Sequence, residues 1–414
     1  MTVQERPFSR DAVPDHVPPD RVFRFDFRND DALRRDPWAY LASLDDLPDI
    51  FFSPDLGGYW VVTRTALIDE VFSRHDLFTA TSLAIPKLEN PATLIPNHLD
   101  PPAHTAYRKL MANGMFSPRA LGELEANTRR FARALFDAFA PGRCEFVQEF
   151  AYRLPIDIFL SMMGADLAHR DECLAFIKGV FRGRSAEETA AGFTAAHQFT
   201  TRWLTEQLAD PGANRGGMFH AMIDARIEGR PLGFDEMHSI TMMLLMGGLD
   251  TITSQMTHIM RFLAESPEHR ACLVDDPDAI PVALEEMLRR FGISFIGRAA
   301  AGDFTYHGVA FRKGDPVCAA TPIAGLDPRA FPDPLAVDFG RGGEGRRVKH
   351  LGFGSGPHLC IGAYLARTQL RVTLEELLPR MPGLRIAPGA VIENMPGATM
   401  MLRALSLAWD VRAN

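Results

Sequence analysis

The run Phe353-Gly-Ser-Gly-Pro-His-Leu-Cys-Ile-Gly362 sets Cys360 after a loop that holds Gly352, Gly354 and Gly356, just before a helical pattern over about Ile361 to Leu378. Glycines let a backbone approach a flat ligand closely and adopt positive φ. A helix N-terminus lowers a thiol's pKa through its dipole and its free N–H groups, which can also donate to sulfur. Donors of that kind tune a metal's redox potential. The pattern provides for a thiolate, and a thiolate can ligate haem iron. Cys144, Cys173, Cys272 and Cys318 lack such surroundings and read as buried small hydrophobes. Five scattered cysteines without C-x-x-C spacing suit a reducing compartment, with no disulfide framework and no zinc cluster.

Gly247-Gly-Leu-Asp-Thr251 carries a second kind of chemistry. Two glycines inside a helix cost about 1 kcal/mol each against alanine. A threonine can return its hydroxyl to the carbonyl four residues back, here Gly247, and open the helix locally. A groove beside the glycines leaves room for a diatomic ligand and water. An aspartate and a threonine on a largely apolar helix are hard to explain by packing, because burying a carboxylate is costly. Elsewhere, Glu286-Met-Leu-Arg289 puts an acid and a base on one helix face, which alone is an ordinary solvated pair. His104 and Arg108 share a face after Asp100-Pro-Pro102. Met242, Met243 and Met246 read equally as core filler or as a malleable pocket wall. Arg346, Arg347, Lys349 and His350, with Arg108 and Lys109, form either a solvated loop or a surface that steers an acidic electron donor.

The cysteine stretch resembles the cytochrome P-450 (haem-thiolate monooxygenase) signature F-x-x-G-x-H-x-C-x-G, with Phe353, Gly356, His358, Cys360 and Gly362 at every specified position. H-x-x-x-R, G-G-x-D-T, E-x-x-R and the cysteine loop follow in the family's order, from about Trp38 to Trp409. The resemblance implies haem b with Cys360 as axial ligand and Phe353 among the residues around it. It implies propionate anchoring by His104, Arg108, Arg298 and His358, and a folding role for Glu286, Arg289 and Arg341. Thr251 would stabilise bound oxygen and Asp250 would relay protons, gated by a basic residue among Lys178, Arg182 and Arg184. Met243, Met246, Gly247, Ser294, Ile296, Ala398 and Thr399 fall where the family lines its substrate pocket.

The nearest resemblance is to soluble bacterial members that hydroxylate camphor and similar terpenoids, through Gly247–Thr251, Ser266-Pro-Glu-His269 and Glu285-Glu-Met-Leu-Arg-Arg-Phe291. Camphor enzymes hold the ketone with a tyrosine before Asp-Pro-Pro; here none occurs between Tyr59 and Tyr107, and Ala92 and Thr93 lie near that place. The resemblance therefore implies another compact apolar substrate, a terpenoid or norisoprenoid. It also implies O2, a 2Fe-2S ferredoxin and an NAD(P)H-dependent reductase. The competing readings are a peroxide-using haem-thiolate enzyme and a non-catalytic haem carrier or gas sensor.

These residues need elements to hold them, and the composition supplies a large body. The chain has 414 residues, 46% hydrophobic and 23% charged, which excludes disorder, collagen-like repeats and a disulfide miniprotein. A core of this size can enclose a cofactor. With 44 basic against 52 acidic side chains, no global footprint exists for nucleic acid or anionic membrane. The N-terminus has no apolar leader segment, so a cytoplasmic monomer is expected. Residues 1–35 read as a polar, proline-rich tail that wraps the body, and 36–414 as a single domain. The expected fold is mainly α with a smaller β-rich part (α+β). The family resemblance gives it a triangular helical body with a long central helix over a buried haem. Gly58-Tyr-Trp-Val-Val-Thr63 reads as a strand, Phe304–Phe311 as a hairpin, and residues 325–349 as an irregular loop. Helices are expected from Ser117-Pro118 to about Phe139, over Pro155–Met163, from Asp235 to Glu265, and from Pro281 to Arg290.

Overall fold

The structure is a computed structural model that describes residues 13–87, 93–118, 121–183, 185–210, 217–343 and 345–411. Helices dominate, and those that frame the site are α1 (Thr65–Ser73), α2 (Ala103–Asn113), α3 (Leu124–Asp137), α4 (Arg153–Met163), α5 (Arg170–Arg182), α6 (Ala186–Ala209), α7 (Phe234–Gly248), α8 (Asp250–Glu265), α9 (Ile280–Arg290) and α10 (Ala363–Leu377). Among the described residues no helix is long and apolar enough to cross a membrane. The β part centres on a five-stranded sheet of β1 (Ile50–Ser53), β2 (Tyr59–Val62), β3 (Phe78–Thr79), β4 (Phe295–Ala300) and β5 (Pro316–Ala320), in the order β1-β2-β5-β4-β3. Only β2 and β5 run parallel. A separate two-stranded ladder joins β6 (Asn394–Met395) to β7 (Met401–Leu402).

Residues 13–35 pack onto the body, as the expected wrapping tail would. Phe25, Phe27 and Leu33 are buried, and Phe27 stacks on Phe295 of β4 with ring centroids 4.8 Å apart. Large apolar side chains override the polar, proline-rich average of that segment, because each contributes about 1.5–3 kcal/mol on burial.

Several helix limits differ from the sequence expectation, for local reasons. The helix expected from Ser117 begins at Leu124, and the Ser117 hydroxyl donates back to Gly114 O at 2.7 Å. α4 ends as expected, with Gly164 in the left-handed conformation at φ 73°. α10 begins at Ala363, two residues later than Ile361. Cys272 is exposed, contrary to the buried reading, while Cys144, Cys173 and Cys318 are buried.

The main correction concerns the central helix. It is two helices, α7 and α8, interrupted at Leu249. The Thr251 hydroxyl donates to Gly247 O at 2.7 Å, and the Thr253 hydroxyl to Leu249 O at 2.9 Å. At Gly247 the side-chain hydroxyl takes the carbonyl that a continuous helix pairs with the Thr251 N–H, whereas Leu249 O is shared between the Thr253 hydroxyl and the Thr253 N–H at 3.4 Å. Gly247 and Gly248 lower the cost of the break because they favour the helix least among residues other than proline.

Candidate active site

Cys360 leaves the loop after a short 3-10 turn, with its N–H donating to Phe353 O at 3.0 Å. Gly354 and Gly356 take φ of +69° and +65°, and a Cβ on Gly356 would lie 2.7 Å from Ser73 Cα at the end of α1. Glycine there is what lets the loop lie against α1. Cys360 is crowded by surrounding chain yet exposes its side chain, as a group facing an internal space does. Burial pushes its thiol up; the Gly362 N–H, then Arg108 and Arg367, oppose this. The net direction is upward, contrary to the helix-terminus expectation, because desolvation of a thiolate outweighs one N–H and two cations. A metal reverses that balance, since a coordinating thiol is deprotonated outright.

Four cationic or protonatable groups converge near the cysteine. His104 is 1% exposed, and Arg298 is 4% exposed. The rings of His104 and His358 lie 4.1 Å apart between centroids. Both nitrogens of His104 and Nε2 of His358 are buried with no hydrogen-bond partner. Arg298 donates one N–H to Gly297 O at 2.9 Å and lies over the Phe72 ring. Arg108 of α2 donates to Leu359 O, next to the cysteine. Burial, then the field of Arg108, lowers His104 to about 4; burial, then Arg298, lowers His358 to about 3. Burial also brings Arg298 down to about 10, with Asp100 the one opposing anion. Buried donors with surplus positive charge and unfilled valence call for an anion. The two carboxylates of haem b meet that need, so the residues fit the group. His75 joins this cluster, with a buried, unpartnered Nδ1 and a field felt by both His104 and His358. A lone histidine after α1 carries no motif, so sequence reading missed it.

Strand alternation explains how Arg298 arrives there. Ile296 and Arg298 are two apart on β4, opposite Ala319 and Val317 of β5, and so share a face. The preceding residues zip onto the turn between β6 and β7: Ser294 bridges Thr399, Phe295 N–H donates to Ala398 O at 2.9 Å, and Met400 N–H donates to Ile293 O at 2.8 Å. Ser294, Ile296, Ala398 and Thr399 thus belong to one wall. His258 of α8 holds the same turn through Met400 O at 3.3 Å, a contact that sequence reading did not find.

Met242, Met243 and Met246 are all buried on α7, and Met242 accepts a hydrogen bond from Thr200 of α6. Gly247 and Gly248, the last two residues of α7, are exposed, and a Cβ on either would meet nothing within 4 Å. Asp250 is fully buried; both its oxygens lack a hydrogen-bond partner. Burial pushes its carboxyl up to about 6 against the pull of Arg182, whose guanidinium lies 3.9 Å away. Of the three basic candidates, Arg182 is the one brought to Asp250. Lys178 lies over the Tyr152 ring, and Arg184, like Ala92, falls outside the described residues. Thr93 O accepts from the Ser239 hydroxyl at 2.6 Å, which ties that segment to α7.

Glu286 and Arg289 form a buried fork on α9 with contacts of 2.7 and 2.8 Å. Arg341 donates to Glu286 at 2.9 Å, and Arg289 fastens Gly325 O, Pro334 O and Ala336 O of the irregular loop. Arg346, Arg347 and Lys349 are exposed. Lys109 is exposed too, but borders a cleft of about 1030 Å³ between α2, α3 and α4.

A family model, "Cytochrome P450", matches residues 177–382. The chain is 32% identical over 414 residues to a probable cytochrome P450 127A1 of Sinorhizobium fredii, covering 96% of this chain and 97% of that protein. It superposes on the crystal structure of CYP101C1 with TM-score 0.88 and 31% identity, covering 96% of this chain and all (100%) of that one. CYP101J2 gives TM-score 0.86 at 30% identity, with coverage of 96% and 100%. The chain belongs to the cytochrome P450 family. The fold is the P450 fold, the cofactor is haem b with a cysteine thiolate axial ligand, and the enzyme is a P450 monooxygenase. In this P450 Cys360 is the cysteine that the signature loop presents.

Proposed function

We propose that this P450 hydroxylates a compact apolar small molecule of terpenoid or norisoprenoid type. It uses O2 and electrons from a 2Fe-2S ferredoxin with an NAD(P)H-dependent reductase, in the cytoplasm. The observation that carries the reading is the Asp250–Thr251 step at the break between α7 and α8. Thr251 commits its hydroxyl proton to Gly247 O, leaving its oxygen lone pairs free to accept. Asp250 is a buried carboxyl brought near neutrality, the range in which a group can both take and release protons. Arg182, anchored by Leu402 O at 2.6 Å, is near enough to bias it.

Haem bound through Cys360 supplies the oxygen-activating chemistry, with thiolate donation favouring O–O cleavage. The protein's own part is to hold protons and position the substrate. Met243, Met246, Ile296 and Ala398 offer an apolar wall whose methionines adapt to shape. Ser294 commits its backbone N–H to the Thr321 hydroxyl and its carbonyl to the Thr321 N–H, and none of the four wall residues carries a charge to pair with an ionised substrate. Exposed Arg346, Arg347 and Lys349 support docking of an acidic donor near the cysteine loop. A haem carrier has no use for a buried Asp250, which disfavours that alternative.

A spectral-shift screen of terpenoids and norisoprenoids against the purified holoenzyme tests the substrate. A saturable high-spin shift with a compact member, followed by a hydroxylated product only when ferredoxin and reductase are present, is expected. Full turnover with peroxide and none with ferredoxin would establish the peroxide-using alternative instead.

A further inference from the structure

Glu285 stands beside Glu286 on α9 but serves a different part of the molecule. Its side chain is 3% exposed. Arg367 of α10 grips it with two N–H donors, at 2.7 and 2.8 Å, and His350 Nε2 lies 2.9 Å from Oε2. His350 Nδ1 accepts the Gly352 N–H at 2.9 Å, so Nε2 carries the proton and donates to Glu285. The Arg367 guanidinium lies 4.5 Å from the centroid of the Phe353 ring, and Phe353 O accepts the Cys360 N–H at 3.0 Å. Arg367 is also one of two cations whose field reaches the Cys360 sulfur, Arg108 being the other. Glu285 therefore touches both ends of the loop that presents the thiolate and neutralises a charge beside it. Burial works against its ionisation, but His350 and Arg367 hold the carboxyl down at about 2.

We propose that Glu285 is a positioning residue for the axial thiolate: it pins Arg367 flat on Phe353 and balances the positive charge next to sulfur. Two consequences have opposite signs. Removing the carboxylate charge leaves Arg367 uncompensated, makes the potential at sulfur more positive, and disfavours the ferric state. Removing the guanidinium does the reverse.

The test is a spectroelectrochemical titration of purified holoenzyme. Glu285→Gln is expected to favour the ferrous form several-fold, up to about tenfold, or ~59 mV upward for one electron. Arg367→Met should shift the equilibrium the other way, and the double variant should return near the parent. A role confined to folding would lower the thermal midpoints of both single variants without opposed potentials. Potentials that move in the same direction, or not at all, overturn the proposal. If Arg367→Met does not retain haem, Arg367→Lys takes its place. Charge kept without the fork should leave the potential near the parent, and a shift as large as that of Glu285→Gln again overturns the proposal. The inference rests on Cys360 as axial ligand. A parental protein whose reduced carbon monoxide complex lacks the long-wavelength Soret band removes that premise, whereas a normal band with unshifted variants rejects only the role of Glu285.

Discussion

Arg182 Nη2 and Asp250 Oδ1 face each other across 3.9 Å without a hydrogen bond, and Tyr152 beside them has a buried hydroxyl that is also unpartnered. The pair is an ion pair held slightly apart, and that separation keeps Asp250 close to its ionisation point instead of locked as a carboxylate.

Asp250 should make stability fall with rising pH. Its folded pKa lies near 6, above the unfolded value of 3.8, so the native state binds the proton more tightly. The stabilisation is present below pH about 4 and is lost as pH rises through about 6, amounting to about 3 kcal/mol. Asp250→Asn removes this dependence. Urea unfolding of both proteins between pH 4 and 7 should show the parent losing ground to the variant. Parallel pH profiles would contradict the buried, partnerless carboxyl.

Arg182→Leu removes the charge that opposes protonation of Asp250. The pH at which coupled turnover falls off on the acid side should move upward. Turnover at neutral pH should fall by about 10²-fold, the scale of a lost proton relay. Product formation measured against pH at saturating ferredoxin checks both.

Thr251→Ala takes away the hydroxyl that holds the helix break. Oxygen consumption should continue while product falls and peroxide accumulates, whereas Thr251→Ser should keep most coupling. Simultaneous oxygen-electrode and product assays decide between them. Equal loss of consumption and product in Thr251→Ala would instead indicate a collapsed site.

Arg298→Leu and His104→Ala each delete a buried donor from the cluster that fits the haem carboxylates. A hydrogen bond to a charged group contributes about 1.5–3 kcal/mol. Haem transfer to an apoprotein acceptor should therefore quicken about 10- to 100-fold for each. Unchanged transfer rates would remove these residues from the cofactor's anchorage.

Glu286→Ala should cost about 3–5 kcal/mol, because it strands the buried Arg289 guanidinium without its partner. The yield of folded holoenzyme and its urea midpoint measure this. Substitutions of the exposed Lys349 should leave both near the parent.

Much of this site could be read from residue order because its chemistry needs fixed spacings. Cys360 needed its glycines, Glu286 and Arg289 needed one helix face, and Thr251 needed a carbonyl four residues back. Contacts that depend on long-range packing left no such trace. His75 reaches the His104–His358 cluster from a turn, Glu285 meets Arg367 across a distance of 82 residues in sequence, and His258 reaches Met400 across 142. The break at Leu249 was only half legible. The glycines announced a weak point, but local periodicity on either side read as one continuous helix.

Two main-chain hydrogen bonds stitch residues 293–295 to residues 398–400, and neither involves a side chain. The framework of that wall is therefore indifferent to what projects from it. Ser294, Ile296, Ala398 and Thr399 can be exchanged during divergence or engineering without moving the scaffold, so selectivity for a new molecule can drift here while foldability stays nearly constant.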